Sequence, residues 1–108
     1  MPYLITTPDD LRKRMDYDPA TGELTWRERP LATFKTSSAG VAWNKRFAGK
    51  PALASINAAG YRCGNLAGRN RMAHRIAWYH YYGVWPDGHI NHINGIRTDN
   101  RIENLRLQ

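Results

Sequence analysis

The residues whose types and spacing could support chemistry lie near the C-terminus, where histidines alternate with amides. This segment begins His89-Ile90-Asn91-His92-Ile93-Asn94-Gly95 and continues to Asn104. Hydrolysis of a phosphodiester needs a base that deprotonates water and a cation that stabilises the charge building on phosphate. Imidazole suits the first role because histidine ordinarily titrates near neutral pH. The spacing alone is compatible with either a structural or a catalytic role for the histidine.

A short strand and a turn are predicted to present His92. Residues 89–93 alternate polar and apolar side chains, a pattern typical of a half-buried strand. Asn94-Gly95 predicts a tight turn. Asn100 precedes Glu103 by three residues, which is the capping-box spacing and predicts the start of a helix.

The elements expected before this segment are short. We predict a helix capped by Thr7 that runs to about Asp16, a strand at residues 24–27, and a hairpin of residues 59–73 that turns at Ala67-Gly68. A further helix is predicted at residues 74–82, ended by Gly83. Residues 30–51 show only a weak pattern and are expected to form a long loop, either a binding loop or an ill-ordered connector.

Charge distribution favours a polyanionic partner over a merely solubilising surface. The net charge is +7, and no acidic residue lies between Glu28 and Asp87. Twelve of the sixteen basic residues are arginine, whose planar fork grips phosphate well. The candidate nucleic-acid contacts are Lys45, Arg46, Lys50, Arg62, Arg69, Arg71, Arg75, Arg97 and Arg101. His74 has two possible roles: its side chain either contacts phosphate or makes its hydrogen bonds to the backbone.

Length and composition exclude several classes of protein. A chain of 108 residues predicts one domain, and 42% hydrophobic residues is ordinary for a globular protein. The lone Cys63 excludes an internal disulfide and a multi-cysteine zinc site. No apolar run is long enough to span a bilayer and no leader is recognised, so we expect a protein that stays in the cell that makes it and has no membrane partner.

Several ordered motifs resemble those of HNH endonucleases of the phage and homing type. The C-terminal motif runs from Asn91-His92-Ile93-Asn94-Gly95 to Thr98-Asp99-Asn100-Arg101-Ile102-Glu103-Asn104-Leu105-Arg106. Further similar stretches lie at residues 17–26, 43–50, 60–62, 73–78 and 83–86. The resemblance therefore extends from about residue 8 to residue 106.

This resemblance implies a ββα-metal fold, in which two strands and a helix surround one divalent ion, Mg²⁺ or Mn²⁺. It implies metal-dependent hydrolysis of double-stranded DNA, with His92 as general base and Asn104 as the asparagine that orients it. Asn91 occupies the position that binds metal in such proteins. A phage-encoded protein that acts in the cytoplasm of the bacterial host is the corresponding expectation.

Two departures from the family pattern keep a second hypothesis open. Asn91 is neutral where many members have an aspartate, and the chain ends four residues after Asn104. We therefore expect an α+β domain, with residues 8–58 and 59–108 as its two parts, whose C-terminal ββα-metal motif is incomplete. It is either a truncated form of a longer nuclease or an inactive binding module that binds DNA or a host protein. A dimer that completes the site is a third hypothesis.

Overall fold

Short helices and antiparallel strands alternate along the chain, and the α+β class is confirmed. The computed structural model describes residues 7–108. Its helices are α1 (Pro8–Arg14), α2 (Ser37–Phe47) and α3 (Ala73–Tyr82), with 3-10 helices at Leu31–Thr33 and Ile102–Asn104. Its strands are β1 (Met15–Tyr17), β2 (Leu24–Trp26), β3 (Ser55–Ile56), β4 (Arg62–Leu66), β5 (Arg69–Met72), β6 (Ile90–His92) and β7 (Leu105–Leu107). They form three antiparallel sheets, β1-β2, β3-β4-β5 and β6-β7.

The first helix begins where its capping residue predicts. The Thr7 hydroxyl accepts a hydrogen bond from the Asp10 amide at 3.1 Å. The helix ends at Arg14, earlier than expected, because Met15 turns to an extended backbone and starts β1. There Met15 pairs with Trp26 of β2.

The expectation of a long loop at residues 30–51 is wrong, since half of this segment forms α2. The Thr36 hydroxyl accepts from the Ala39 amide at 3.1 Å and caps the helix. Tertiary packing stabilises α2, although the sequence pattern for a helix is weak. The helix presents Gly40 to the Phe34 ring, and the Trp43 ring meets Trp26 edge-on at 5.9 Å.

The predicted hairpin and the helix after it are both present. Strands β4 and β5 pair from Leu66↔Arg69 to Cys63↔Met72, around a two-residue turn. Strand β5 leads directly into α3, and Gly83 ends that helix in the left-handed conformation.

One hydrophobic core joins the three sheets to α1 and α3. Its buried side chains include Leu11, Met15, Leu24, Leu66, Ile76, Tyr79, Ile90 and Leu105. The chain after Asn100 makes a 3-10 turn and then β7, rather than the α-helix that the capping-box spacing predicted. In the part of the chain that the structure describes, no helix has the length and apolar character needed to cross a membrane.

Candidate nuclease site

His92 ends strand β6 and points into the protein. It pairs with Leu105 of β7, and its side chain is only 7% exposed. The chain turns immediately afterwards, because the Gly95 amide donates to the His92 carbonyl at 2.9 Å. Strand and turn together fix the backbone from which the imidazole projects.

A hydrogen bond to Asn100 selects the tautomer of the imidazole. Nε2 of His92 lies 2.9 Å from Oδ1 of Asn100, and both residues are buried. An amide oxygen can only accept, so Nε2 carries the proton and donates it. The lone pair of the neutral ring is then on Nδ1, which has no hydrogen-bond partner among the described residues. His92 is therefore held with Nδ1 able to accept a proton.

The β1-β2 hairpin holds Asn100 in place. The Tyr17 hydroxyl donates to the Asn100 carbonyl, and the Ile102 amide donates to the Pro19 carbonyl at 3.0 Å. Gly22 permits this close approach, since a Cβ on it would lie 2.5 Å from the Asn100 carbonyl carbon. Gly22 also has a φ of +81°, which disfavours other residues. An N-terminal hairpin thus positions a C-terminal side chain.

Two further rings pack against His92. The ring of His74, from the first turn of α3, lies 5.0 Å from that of His92 between centroids, and Tyr61 lies 5.8 Å from His92. Burial, with added repulsion from His92, lowers the pKa of His74 to about 4. His74 is therefore neutral at pH 7. Its Nδ1 is buried without a partner among the described residues, so it is not satisfied by the backbone.

Asn104 fixes the loop after β6 rather than contacting the imidazole. Its Nδ2 donates to Oδ1 of Asn94 at 2.9 Å and to the Asp99 carbonyl at 2.8 Å. Its Oδ1 accepts from the Asn94 amide at 3.0 Å. The direct partner of His92 is Asn100, so any orienting effect of Asn104 passes through this loop.

Asp99 and Arg101 form the outer side of the same loop. Two side-chain hydrogen bonds, at 2.9 and 2.8 Å, and one from the Arg101 amide, at 3.3 Å, join them. Arg101 also pairs with Glu103 at 2.6 Å. These bonds from Arg101, with one from Asn94, hold the pKa of Asp99 well below its usual range. The carboxylate is thus ionised but already engaged.

Four of the predicted DNA contacts have hydrogen-bond or ion-pair partners among the described residues. Arg62 pairs with Glu23 at 3.6 Å, Arg75 donates to the Gly88 carbonyl at 2.9 Å, Arg97 donates to the Ala59 carbonyl, and Arg101 binds Asp99. The Arg97 guanidinium also lies 5.0 Å from the centre of the Tyr61 ring. These arginines stabilise the loops around His92.

The other predicted contacts lie on surfaces. Lys45, Arg46 and Lys50 are exposed on α2 and just after it, Arg69 is exposed on β5, and Arg71 is half-buried there. Arg69 and Arg71 share one face of β5 because alternate residues of a strand point the same way. The hairpin therefore carries a short basic row that leads towards His74.

The described residues do not form a complete site for the divalent ion that the resemblance implies. Residues 7–108 contain no cluster of three His, Cys, Asp or Glu that could hold a metal. Asn91 is half-buried, and the alternation of β6 places it on the face opposite His92. Mg²⁺ prefers octahedral oxygen ligands, of which Asn91 supplies at most one. No step proposed below passes through a metal.

Sequence reasoning missed Asn100 and the contribution of the N-terminal hairpin. The capping-box spacing predicts Asn100 as a helix cap, yet its side chain bonds His92 eight residues earlier in the chain. The polar run Thr98-Asp99-Asn100 was the available signal. Nothing local indicated that Tyr17 and Gly22 would meet it.

Comparison with known proteins agrees with the geometry. The family model described as HNH endonuclease matches residues 71–108, which include α3, β6 and β7 and so His74, His92 and Asn100. No curated protein and no solved structure gives a significant match. Nucleases of this family act on DNA and generally use a divalent metal. Residues 71–108 are thus similar to the HNH endonuclease family.

Proposed function

We propose that this protein binds double-stranded DNA and hydrolyses its phosphodiester bonds, with His92 as the general base. The observation that carries the proposal is the 2.9 Å hydrogen bond from Nε2 of His92 to Oδ1 of Asn100. It leaves Nδ1 as the basic nitrogen and fixes where that nitrogen points. A base needs this orientation before its basicity matters.

In the proposed reaction, a water molecule donates its proton to Nδ1 of His92 as its oxygen attacks phosphorus. The phosphorus–oxygen bond on the opposite side breaks, and the leaving oxygen takes a proton from solvent. The ring gains positive charge, which strengthens the hydrogen bond from Nε2 to Asn100. Asn91, on the opposite face of β6, would supply one oxygen ligand to Mg²⁺ or Mn²⁺. Asn104 holds the loop behind the base.

Basic residues would hold the duplex across the site. Arg69 and Arg71 line the hairpin that leads into α3, and Lys45 and Arg46 on α2 and Lys50 just after it add charge. Each phosphate neutralised releases condensed counterions, so we expect affinity to fall steeply with salt. By the same resemblance we propose a phage-encoded protein that acts in the bacterial cytoplasm.

Nicking of supercoiled plasmid in Mg²⁺ or Mn²⁺ tests the function. The unsubstituted protein should relax the plasmid, and His92→Ala should lose this activity. His89→Ala is the matched control, since His89 is exposed three residues away in the same segment. Equal activity of His92→Ala and His89→Ala would refute the assignment. Binding of DNA without cleavage in either metal would instead favour the inactive binding module.

A further inference from the structure

A cavity of about 470 Å³ lies between α2 and the tip of the β4-β5 hairpin, apart from the His92 site. Its walls are Trp26, Trp43 and Phe47, the side chains of Arg14 and Arg29, and residues 65–68 of the hairpin turn. Its volume falls in the range of about 300–1,000 Å³ that is usual for small-molecule pockets.

Aromatic rings in fixed orientations form one side of the cavity. Trp43 meets Trp26 edge-on, with 5.9 Å between ring centres, and lies 5.2 Å from Phe47. All three side chains are half-buried, so each packs on the protein while part of it stays accessible. Such rings are suited to stacking against a flat aromatic ligand.

The charged side chains among the lining residues favour an anion. Two guanidinium groups and no carboxylate belong to the lining residues. Arg29 lies over the Trp43 ring at 4.9 Å, and its backbone is fixed by reciprocal bonds with Asn44 at 2.8 and 2.9 Å. A ligand with a planar ring and a phosphate matches both features of the cavity.

The turn that closes the cavity has a strained backbone. Ala67 has a φ of +54° and Gly68 a φ of +79°, so both central residues of this hairpin turn are left-handed. That conformation disfavours alanine. Strained positions concentrate at binding sites. Strand β5 then runs from this turn to α3, so the cavity and His92 lie at opposite ends of one hairpin.

We propose that this cavity binds an unpaired nucleotide of a DNA strand, with the base stacked on Trp43 or Trp26 and the phosphate at Arg14 and Arg29. The inference rests on the proposed DNA binding. The DNA strand would continue along Arg69 and Arg71 to His92. The distance it covers is the length of β4, which is roughly 15 Å for five residues. The protein would then recognise DNA with a single-stranded end or an extruded base.

Equilibrium binding of a blunt duplex and of the same duplex with an unpaired adenine overhang tests the proposal. We expect about tenfold tighter binding of the overhang, as one stacked base provides. Asn65→Phe, which fills the cavity from the exposed β4 position, should remove this preference and leave blunt-duplex affinity unchanged. Asn65→Ala, which leaves the cavity open, should keep it. A preference that survives Asn65→Phe overturns the proposal.

A second measurement needs no variant. With 2-aminopurine as the unpaired base, binding should quench its fluorescence through stacking, and unchanged fluorescence in the bound state overturns the proposal. Equal affinity for both duplexes overturns it too and leaves the proposed function intact. Failure to bind the blunt duplex refutes DNA binding and this inference together. Free deoxyadenosine monophosphate that binds as tightly as the overhang overturns the assignment to a strand.

Discussion

At the scale of single residues, His92 depends on a side chain that fixes which of its nitrogens is basic. Imidazole has two tautomers, and only the one with a free Nδ1 matches the proposed reaction. Asn100 selects this tautomer through its oxygen, and Asn100 is itself 1% exposed and held by Tyr17. The base is therefore oriented by residues from both ends of the chain.

Asn100→Ala should reduce plasmid nicking about 10- to 100-fold, as loss of an orienting partner typically does. The ring would keep its position but lose the acceptor that holds the proton on Nε2. Nitrogen chemical shifts of His92, measured by NMR, should show the Nε2–H tautomer in the unsubstituted protein and a mixture in the variant. His89→Ala offers a comparison, since His89 is exposed in the same segment. Unchanged shifts in Asn100→Ala would contradict the assignment.

The buried His74 makes stability depend on pH. Its pKa is lowered to about 4 in the folded protein, so the unfolded chain binds more protons between about pH 6.5 and pH 4. The free energy of unfolding should be fully retained above pH 6.5 and fall as pH decreases through this window, by on the order of 2 kcal/mol. Burial also lowers the pKa of His80, which adds to the loss.

Urea unfolding at pH 7 and pH 4.5 measures this effect. His74→Gln cannot titrate, so its stability should change less between the two pH values than that of the unsubstituted protein. His89→Gln, at an exposed position, should leave the pH dependence unaltered. An identical pH dependence in His74→Gln would show that His74 titrates normally.

At the scale of elements, the hairpin turn at Ala67-Gly68 contains an alanine where its backbone conformation favours another residue. A turn with two left-handed residues prefers asparagine before glycine. Ala67→Asn should therefore stabilise the protein by about 0.5 to 1 kcal/mol, because asparagine tolerates this backbone better than alanine. Thermal unfolding measures the change, and Ala54→Asn, at an exposed position without a positive φ, is the control. Destabilisation by Ala67→Asn alone would contradict the turn geometry.

Elements with local signals could be predicted from the sequence. The cap at Thr7, the left-handed Gly83 and the alternation of residues 89–93 each gave a helix end or a strand that the structure contains. Helix α2 could not be predicted because its contacts come from elsewhere, namely Phe34 beside Gly40 and Trp26 beside Trp43. Tertiary packing commonly outweighs such weak local preference.

The candidate site likewise contains features that the sequence predicts and features that it does not. The role of His92 could be predicted from its residue type and motif. Its hydrogen bond to Asn100 could not, because it depends on the shape of the intervening turn. The capping-box spacing from Asn100 to Glu103 predicted a helix, but Asn100 lies before a 3-10 turn and its side chain faces His92. A buried hydrogen bond was thus available in place of a cap.

At the scale of the whole molecule, charge and shape suit an extended ligand. The protein measures 44 Å along its longest axis and 25 and 23 Å across. The β4-β5 hairpin connects the aromatic cavity to the His92 site and carries Arg69 and Arg71 between them. A DNA strand that follows this hairpin would contact both regions.

Arg69→Ala should weaken DNA binding equally for different sequences, because a phosphate contact carries no base information. The slope of log affinity against log salt should fall in magnitude by about 1. Lys13→Ala removes the same charge from an exposed position on α1 and should leave the slope unchanged. Equal slopes for the two variants would show that the DNA does not contact Arg69.

The central claim is that His92 removes a proton from water. The most direct test is the single-turnover nicking rate of His92→Gly, with and without imidazole in solution. The account predicts a loss of about 100- to 10,000-fold that added imidazole partly restores, as replacement of a general base should give. A His92→Gly variant that nicks plasmid at the rate of the unsubstituted protein would contradict it.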